Sequence, residues 1–143
     1  MKISALLAVK GASVVTIRSD ASIGEAVAAL GRHNVGALVV STDGRFLDGI
    51  ISERDIVRAL DELGSGVLEP QVATIMSSEV HTCSPEDTVE SLMATMTEHR
   101  VRHVPVVEDG VLAGMVSIGD VVKNRMEELE HDRDALVDYI NAR

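Results

Sequence analysis

A chain of 143 residues has the length of one ordinary domain or of two very small ones sharing a core, and 45% apolar content suffices to bury that core. A net charge of −10 and a pI near 4.8 argue against a broad nucleic-acid groove, which needs Lys and Arg clustered over phosphates. One Phe, one Tyr and no Trp offer no stacking platform for single strands, and the lone Cys83 excludes an internal disulfide. No signal-peptide pattern follows Met1, and no stretch approaches the roughly 18 consecutive apolar residues of a membrane helix, so a cytoplasmic protein is expected.

Residues 1–13 read as a docking segment ahead of a first unit at 14–64. That unit opens with a strand at 14–17 and a polar turn. Ser22 and Glu25 then form a capping box for a helix whose apolar face is Ile23, Ala26, Val27 and Leu30. The apolar runs at 37–40 and 47–51, joined through Asp43-Gly44, read as a hairpin, and a helix starts at Ser52. Gly64, Ser65 and Gly66 read as a flexible connector. The linker at 65–79 carries Pro70, Val72, Ile75 and Met76, a composition suited to a docked connecting helix.

The second unit, 80–125, repeats the first. A shift of 66 lays Ile23, Ala26, Val27 and Leu30 on Val89, Leu92, Met93 and Met96, and Asp43-Gly44 on Asp109-Gly110. Past that turn the shift is 65, matching Gly49, Ser52 and Asp55 to Gly114, Ser117 and Asp120, as a one-residue deletion in a hairpin loop produces. Thr88 takes the capping position of Ser22. Each unit therefore reads strand, helix, strand, strand, helix, and one such unit of about 45 residues leaves a sheet face bare, so the two should pack together. At 126–143 the last helix runs on: Val122, Met126, Leu129, Leu136 and Ile140 keep a three-four alternation that Arg133 interrupts, a surface suited to a second subunit.

The doubled phrase, GIISERD at 49–55 and GMVSIGD at 114–120, supports two readings. In one, Ser caps the helix and Asp faces its positive end. In the other, Gly permits close approach of a ligand, free N–H groups receive a phosphate or ribose, and Asp accepts from a ribose diol. The run EHRVRH at 98–103 concentrates positive charge in an acidic chain, as phosphates require.

Other constellations carry less. His99 and His103 have helical metal-ligand spacing, but a strand at 101–107 separates them, so no metal site is expected. His81 and Cys83 read as a partly buried polar pair at a strand edge, and Met93, Met96, Met115 and Met126 as core fillers. No activated nucleophile or paired carboxylates point to an enzyme.

The two G-x-x-S-x-x-D phrases, the doubled element order and the runs GALVV at 36–40 and RHVPVV at 102–107 resemble the cystathionine-β-synthase (CBS) domain pair, or Bateman module. VSIGDVVK at 116–123 resembles small stand-alone bacterial members. The resemblance implies an α/β (α+β) fold of two β-α-β-β-α units with pseudo-twofold symmetry and an extended C-terminal helix. It implies a non-catalytic regulator binding an adenosyl ligand between units: AMP foremost, with ADP, ATP, NAD(H) or S-adenosylmethionine as alternatives. Carried over by position, Asp55 and Asp120 would bind ribose, Ser52 and Ser117 ribose or phosphate, and Thr16 and Thr82 would flank the adenine. Arg54, Arg100, Arg102 and His103 would meet phosphates. Gly119 stands where the first unit has Arg54, so the clefts are inequivalent. A homodimer and an effector protein are the expected partners, with neither nucleic acid nor membrane among them; a ligand-free interaction module acting through its C-terminal helix is the alternative.

Overall fold

The computed structural model describes residues 1–142. Helix α1 (Ile3–Lys10) precedes a first unit of β1 (Thr16–Ile17), α2 (Ile23–His33), β2 (Ala37–Val40), β3 (Gly49–Ser52) and α3 (Glu53–Leu63). Two short 3₁₀ turns, Gly64–Leu68 and Val72–Thr74, lead to α4 (Val89–His99), β4 (His103–Glu108), β5 (Val111–Ser117) and α5 (Ile118–Asn141). The mixed α/β architecture, the duplicated unit and the long last helix match the expectation.

In the first unit β1 pairs parallel to β2 and β2 antiparallel to β3. The second unit keeps the β4–β5 hairpin, but its opening strand shrinks to a parallel bridge between Cys83 and Val106. The hairpin turns also differ. Asp109 (φ 52) and Gly110 (φ 79) form a two-residue turn, both residues in the left-handed region that Asp-Gly tolerates. Asp43 instead lies in a longer loop, where its carboxylate accepts from the N–H groups of Arg45 and Phe46 and is held below the usual carboxylate range by those bonds. The segment at 64–66 is not a loose connector: it is wound into the first 3₁₀ turn, with Val67 buried against Ile23 and Ala59.

The helix starts form by side-chain capping of orphan N–H groups, but the expected Ser22–Glu25 box closes on one side only, the Glu25 carboxylate making no bond back to the Ser22 N–H. Ser22 accepts from the Glu25 N–H, Thr88 from that of Ser91, and both Ser52 with Asp55 and Ser117 with Asp120 complete reciprocal boxes. Two of the four methionines expected in the core face outward: Met96 is buried, whereas Met93 and Met126 are exposed.

Cores form by exchange of arms. Helix α1 packs on the second unit, placing Ile3, Leu6 and Leu7 among Val89, Leu92, Val104 and Val116. The linker returns the exchange, setting Val72, Ile75 and Met76 against Leu30, Leu38 and Ile51. The hydrogen bonds correspond bond for bond. Ile3 N–H donates to Asp87 O and Val72 N–H to Ala21 O, each at 2.8 Å; Val89 N–H donates to Met1 O and Ile23 N–H to Pro70 O, each at 2.9 Å. Between α1 and the linker the repeat offset is thus 69, and each arm serves as a lid on the other unit's helix start. This is the pseudo-twofold relation of the two halves.

Arm exchange explains the paired glycines. A Cβ on Gly49 would stand 2.7 Å from Ser77 O, and one on Gly114 would stand 2.8 Å from a Leu7 methyl. These glycines admit the arms; the sequence reading had assigned their bareness to a ligand. No helix among the described residues is long and apolar enough to cross a membrane.

Candidate functional site

Strand ends and helix starts meet at one edge of the first unit, and the second unit's 100–103 segment faces them. The cleft between has a volume of about 540 Å³ and is lined by Gly36, Ala37, Ile50, Ser52, Glu53, Arg54, Asp55, Val57, Arg58, Ser77, Arg100, Val101, Arg102 and His103. A cleft of that size suits a small-molecule ligand.

Six of the ten residues singled out in the sequence converge here: Ser52, Arg54, Asp55, Arg100, Arg102 and His103. Thr16, exposed on β1, and Thr82, exposed beside the Cys83 bridge, are not among the lining residues. Ser117 and Asp120 lie at the equivalent helix start of the second unit. Arg58 was missed, although its spacing of four from Arg54 on α3 puts both guanidiniums on one helical face. Ser77 was also missed; the linker brings it in by pairing with Ile50.

Charge distinguishes the cleft. Arg54, Arg58, Arg100 and Arg102 line it, and none of the four has a carboxylate ion-pair partner among the described residues. Four unneutralised guanidiniums in one cleft of a chain with net charge −10 form a local anion trap. Arg100 closes α4 in the left-handed conformation (φ 55), as Asn34 (φ 52) closes α2 at the matching repeat position. Asn accepts that conformation readily, whereas for Arg it costs on the order of 1 kcal/mol.

His103 is half-buried on β4 beside Gly36. Burial holds its imidazole below the usual value, against the upward pull of Glu53 and Asp120, and Arg102 adds to the depression. Asp55 Oδ2 accepts from Ser52 N–H at 2.8 Å and from Ser52 Oγ at 3.0 Å. That hydroxyl can rotate toward a ligand and release a carboxylate lone pair, so capping and ligand binding are compatible in one residue.

The second unit's site differs at three of the four arginine positions, Lys123 keeping a cation at that of Arg58. Asn34 and Gly36 stand where Arg100 and Arg102 stand in the first cleft, and Gly119 replaces Arg54. Asp120 Oδ2 accepts from Ser117 N–H at 2.8 Å and also pairs with Lys10 Nζ at 3.1 Å.

Elsewhere, His81 is exposed and stacks on His99, ring centroids 4.0 Å apart, which replaces the expected pairing with Cys83. Burial, with the charge of Asp87, pushes the Cys83 thiol up to about 11, the opposite of an activated nucleophile. Along α5 a groove of about 690 Å³ has an apolar floor of Ile118, Val122 and Met126, and beyond it Leu129, Leu136, Val137 and Ile140 remain exposed.

A duplicated β-α-β-β-α unit, with exchanged arms and a polar cleft between units, defines a two-unit module whose cleft has the size of a small molecule. The CBS domain model matches residues 9–62 and 72–127, and the chain belongs to the CBS domain family. It is 40% identical over 126 residues to the mitochondrial CBS domain-containing protein CBSX3 of Arabidopsis thaliana, covering 85% of this chain and 61% of that one. Among solved structures it resembles the CBS-domain containing protein ATU1752 from Agrobacterium tumefaciens at 46% identity and a TM-score of 0.83, covering 87% of this chain and 92% of the other. Pyrobaculum aerophilum PAE2072, solved in complex with AMP, matches at 31% identity and a TM-score of 0.75, covering 84% and 89%. The CBS pair of MJ0100, solved with 5′-methylthioadenosine and S-adenosyl-L-methionine, matches at 26% and 0.79, covering 90% and 98%.

Proposed function

We propose that this chain is a non-catalytic regulatory module that binds an adenine nucleotide, AMP foremost, in the first-unit cleft. The observation that carries the reading is the set of four unpaired arginines in one cleft with Asp55, Arg54 and Arg58 beside it on α3 and Arg100 and Arg102 from the second unit. Asp55 accepts from the ribose diol, Ser52 donates to ribose or phosphate, and Arg54, Arg58, Arg100 and Arg102 neutralise the phosphate, with His103 beside them. A carboxylate and guanidiniums in one cleft suit a ligand whose ribose and phosphate lie at opposite ends. S-adenosylmethionine, which bears a cationic sulfonium, meets an unfavourable field there. The AMP complex of PAE2072 and the adenosyl complexes of MJ0100 support an adenosyl ligand. ATP and NADH share the ribose and phosphate chemistry and rank behind AMP.

Regulation follows if the ligand binds one arrangement of the units more tightly than another, since only differential affinity shifts an equilibrium. The cleft joins α3 of one unit to β4 of the other, so closing on phosphate draws the units together. The exposed stripe of α5 supports a homodimer as the assembly that transmits the change to an effector. The test is calorimetric titration with AMP of the wild type and of Arg100→Ala/Arg102→Ala. Tight binding that falls at least tenfold in the variant supports the reading, and equal affinity in both removes the arginines from it.

A further inference from the structure

The first α1 turns mirror the linker contact by contact, but the mirror breaks at its end. In the first unit the linker leaves its 3₁₀ turn and lays Ser77 beside Ile50, N–H to carbonyl in both directions at 2.9 and 3.0 Å. The counterparts by repeat position are Ala8 and Met115. Ala8 is still helical, because α1 runs for eight residues where the linker turn runs for three. The backbone therefore never reaches Met115, and the Lys10 ammonium takes its place, donating to the Met115 carbonyl and pairing with Asp120 Oδ2 at 3.1 Å. Both side chains are only about a quarter exposed, at 25% and 27%. Gly11 (φ 101) ends the helix just beyond, which fixes where Lys10 stands.

We propose that Lys10 is a built-in occupant of the second-unit site and the residue that restricts the chain to one adenosyl ligand. The inference rests on the reading of the first cleft given above. In Asp55 the second bond to Oδ2 comes from a hydroxyl that can rotate away. In Asp120 the corresponding bond comes from an ammonium tied at the same time to Met115 O, and Ser117 N–H takes the other position on Oδ2. A ribose diol that takes both oxygens of Asp120 must break an ion pair that is sheltered from water, with less gain from phosphate than in the first cleft, since Asn34, Gly36 and Gly119 replace three of its four arginines and only Lys123 keeps the charge of the fourth. With Lys10 removed, Asp120 becomes a bare acceptor that the ribose diol of a nucleoside reaches without breaking that ion pair.

Calorimetric titration with adenosine counts the sites. The wild type, Lys10→Met and Lys10→Met/Asp120→Asn are compared, each shown to be folded by a cooperative melt; Met keeps the apolar stem and the helix. The expected counts are one, two and one per chain. One site in both wild type and Lys10→Met, two in the wild type, or a second site that survives Asp120→Asn overturns the role of Lys10 and leaves the first cleft standing. No site in the wild type but one in Lys10→Met, lost on Asp120→Asn, keeps Lys10 as the occupant, the first cleft being tested separately by its AMP titration. No site in either overturns the role of Lys10.

Discussion

Replacing Asp55 with Asn separates its two roles, helix cap and ribose acceptor. The Asp55 carboxylate accepts from Ser52 N–H at 2.8 Å, and its own N–H donates to Ser52 Oγ at 3.3 Å. Asn keeps a carbonyl for the first bond and the backbone N–H for the second, so the reciprocal box survives. What is lost to folding is a negative charge at the helix start, about 0.3–1 kcal/mol. For a chain of this size that lowers the melting temperature by about 1–5 °C. The ribose diol loses a charged acceptor, at about 1.5–3 kcal/mol, which corresponds to about 10- to 100-fold in affinity for AMP. A melt without ligand and a calorimetric titration at fixed pH read the two quantities separately. A variant with the small loss of stability and wild-type affinity would make Asp55 a cap alone and refute its place in the site.

Three further outcomes follow from named contacts. Gly49→Ala should cost about 1–3 kcal/mol, more than Gly114→Ala, because its Cβ meets the Ser77 carbonyl whereas the other meets a movable Leu7 methyl; Gly31→Ala, with nothing within 4 Å in the last turn of α2, should gain up to about 0.5 kcal/mol, all read by denaturant melts. Cys83, its thiol raised from 9.0 to about 11 by burial and then by Asp87, should have about 100-fold less thiolate at pH 8 than an unperturbed thiol, and alkylate correspondingly slowly until the chain is unfolded. His103 has a folded value lowered from 6.5, so the unfolded chain binds more protons and stability should fall as pH drops below about 6.5 toward that lower value, a slope that His103→Gln flattens. A phosphate beside it favours the imidazolium, so AMP binding near pH 6 should take up protons, seen as a binding enthalpy that varies with the buffer's ionisation heat.

The repeat, the capped helices, both hairpins and the polar residues of the cleft were legible in the sequence, because each is fixed by residues a few positions apart. Ser52 and Asp55 form their box within one helical turn, and residues 100–103 were visible as the one basic run of an acidic chain. What stayed hidden depends on contacts distant in sequence. Gly49 and Gly114 face arms that cross from the other unit, so their purpose is set by Ser77 and Leu7. Lys10 meets Asp120 only because α1 runs a turn longer than the linker that mirrors it. The offset of 69 between Ile3 and Val72 is the one trace of that crossing in the sequence, and it differs from the offset within the units. Strand 80–83 failed for a local reason: only Cys83 reaches β4, through two backbone bonds to Pro105 and Val107.

Thermal melts of the purified chain against rising AMP, with ATP, NADH and S-adenosylmethionine in parallel, test the central claim most directly, since a ligand bound by the native state alone raises the melting temperature by mass action. The account predicts a saturable rise with AMP that exceeds that with S-adenosylmethionine and disappears in Arg100→Ala/Arg102→Ala. A cooperative melt that none of the four moves at millimolar concentration would contradict it.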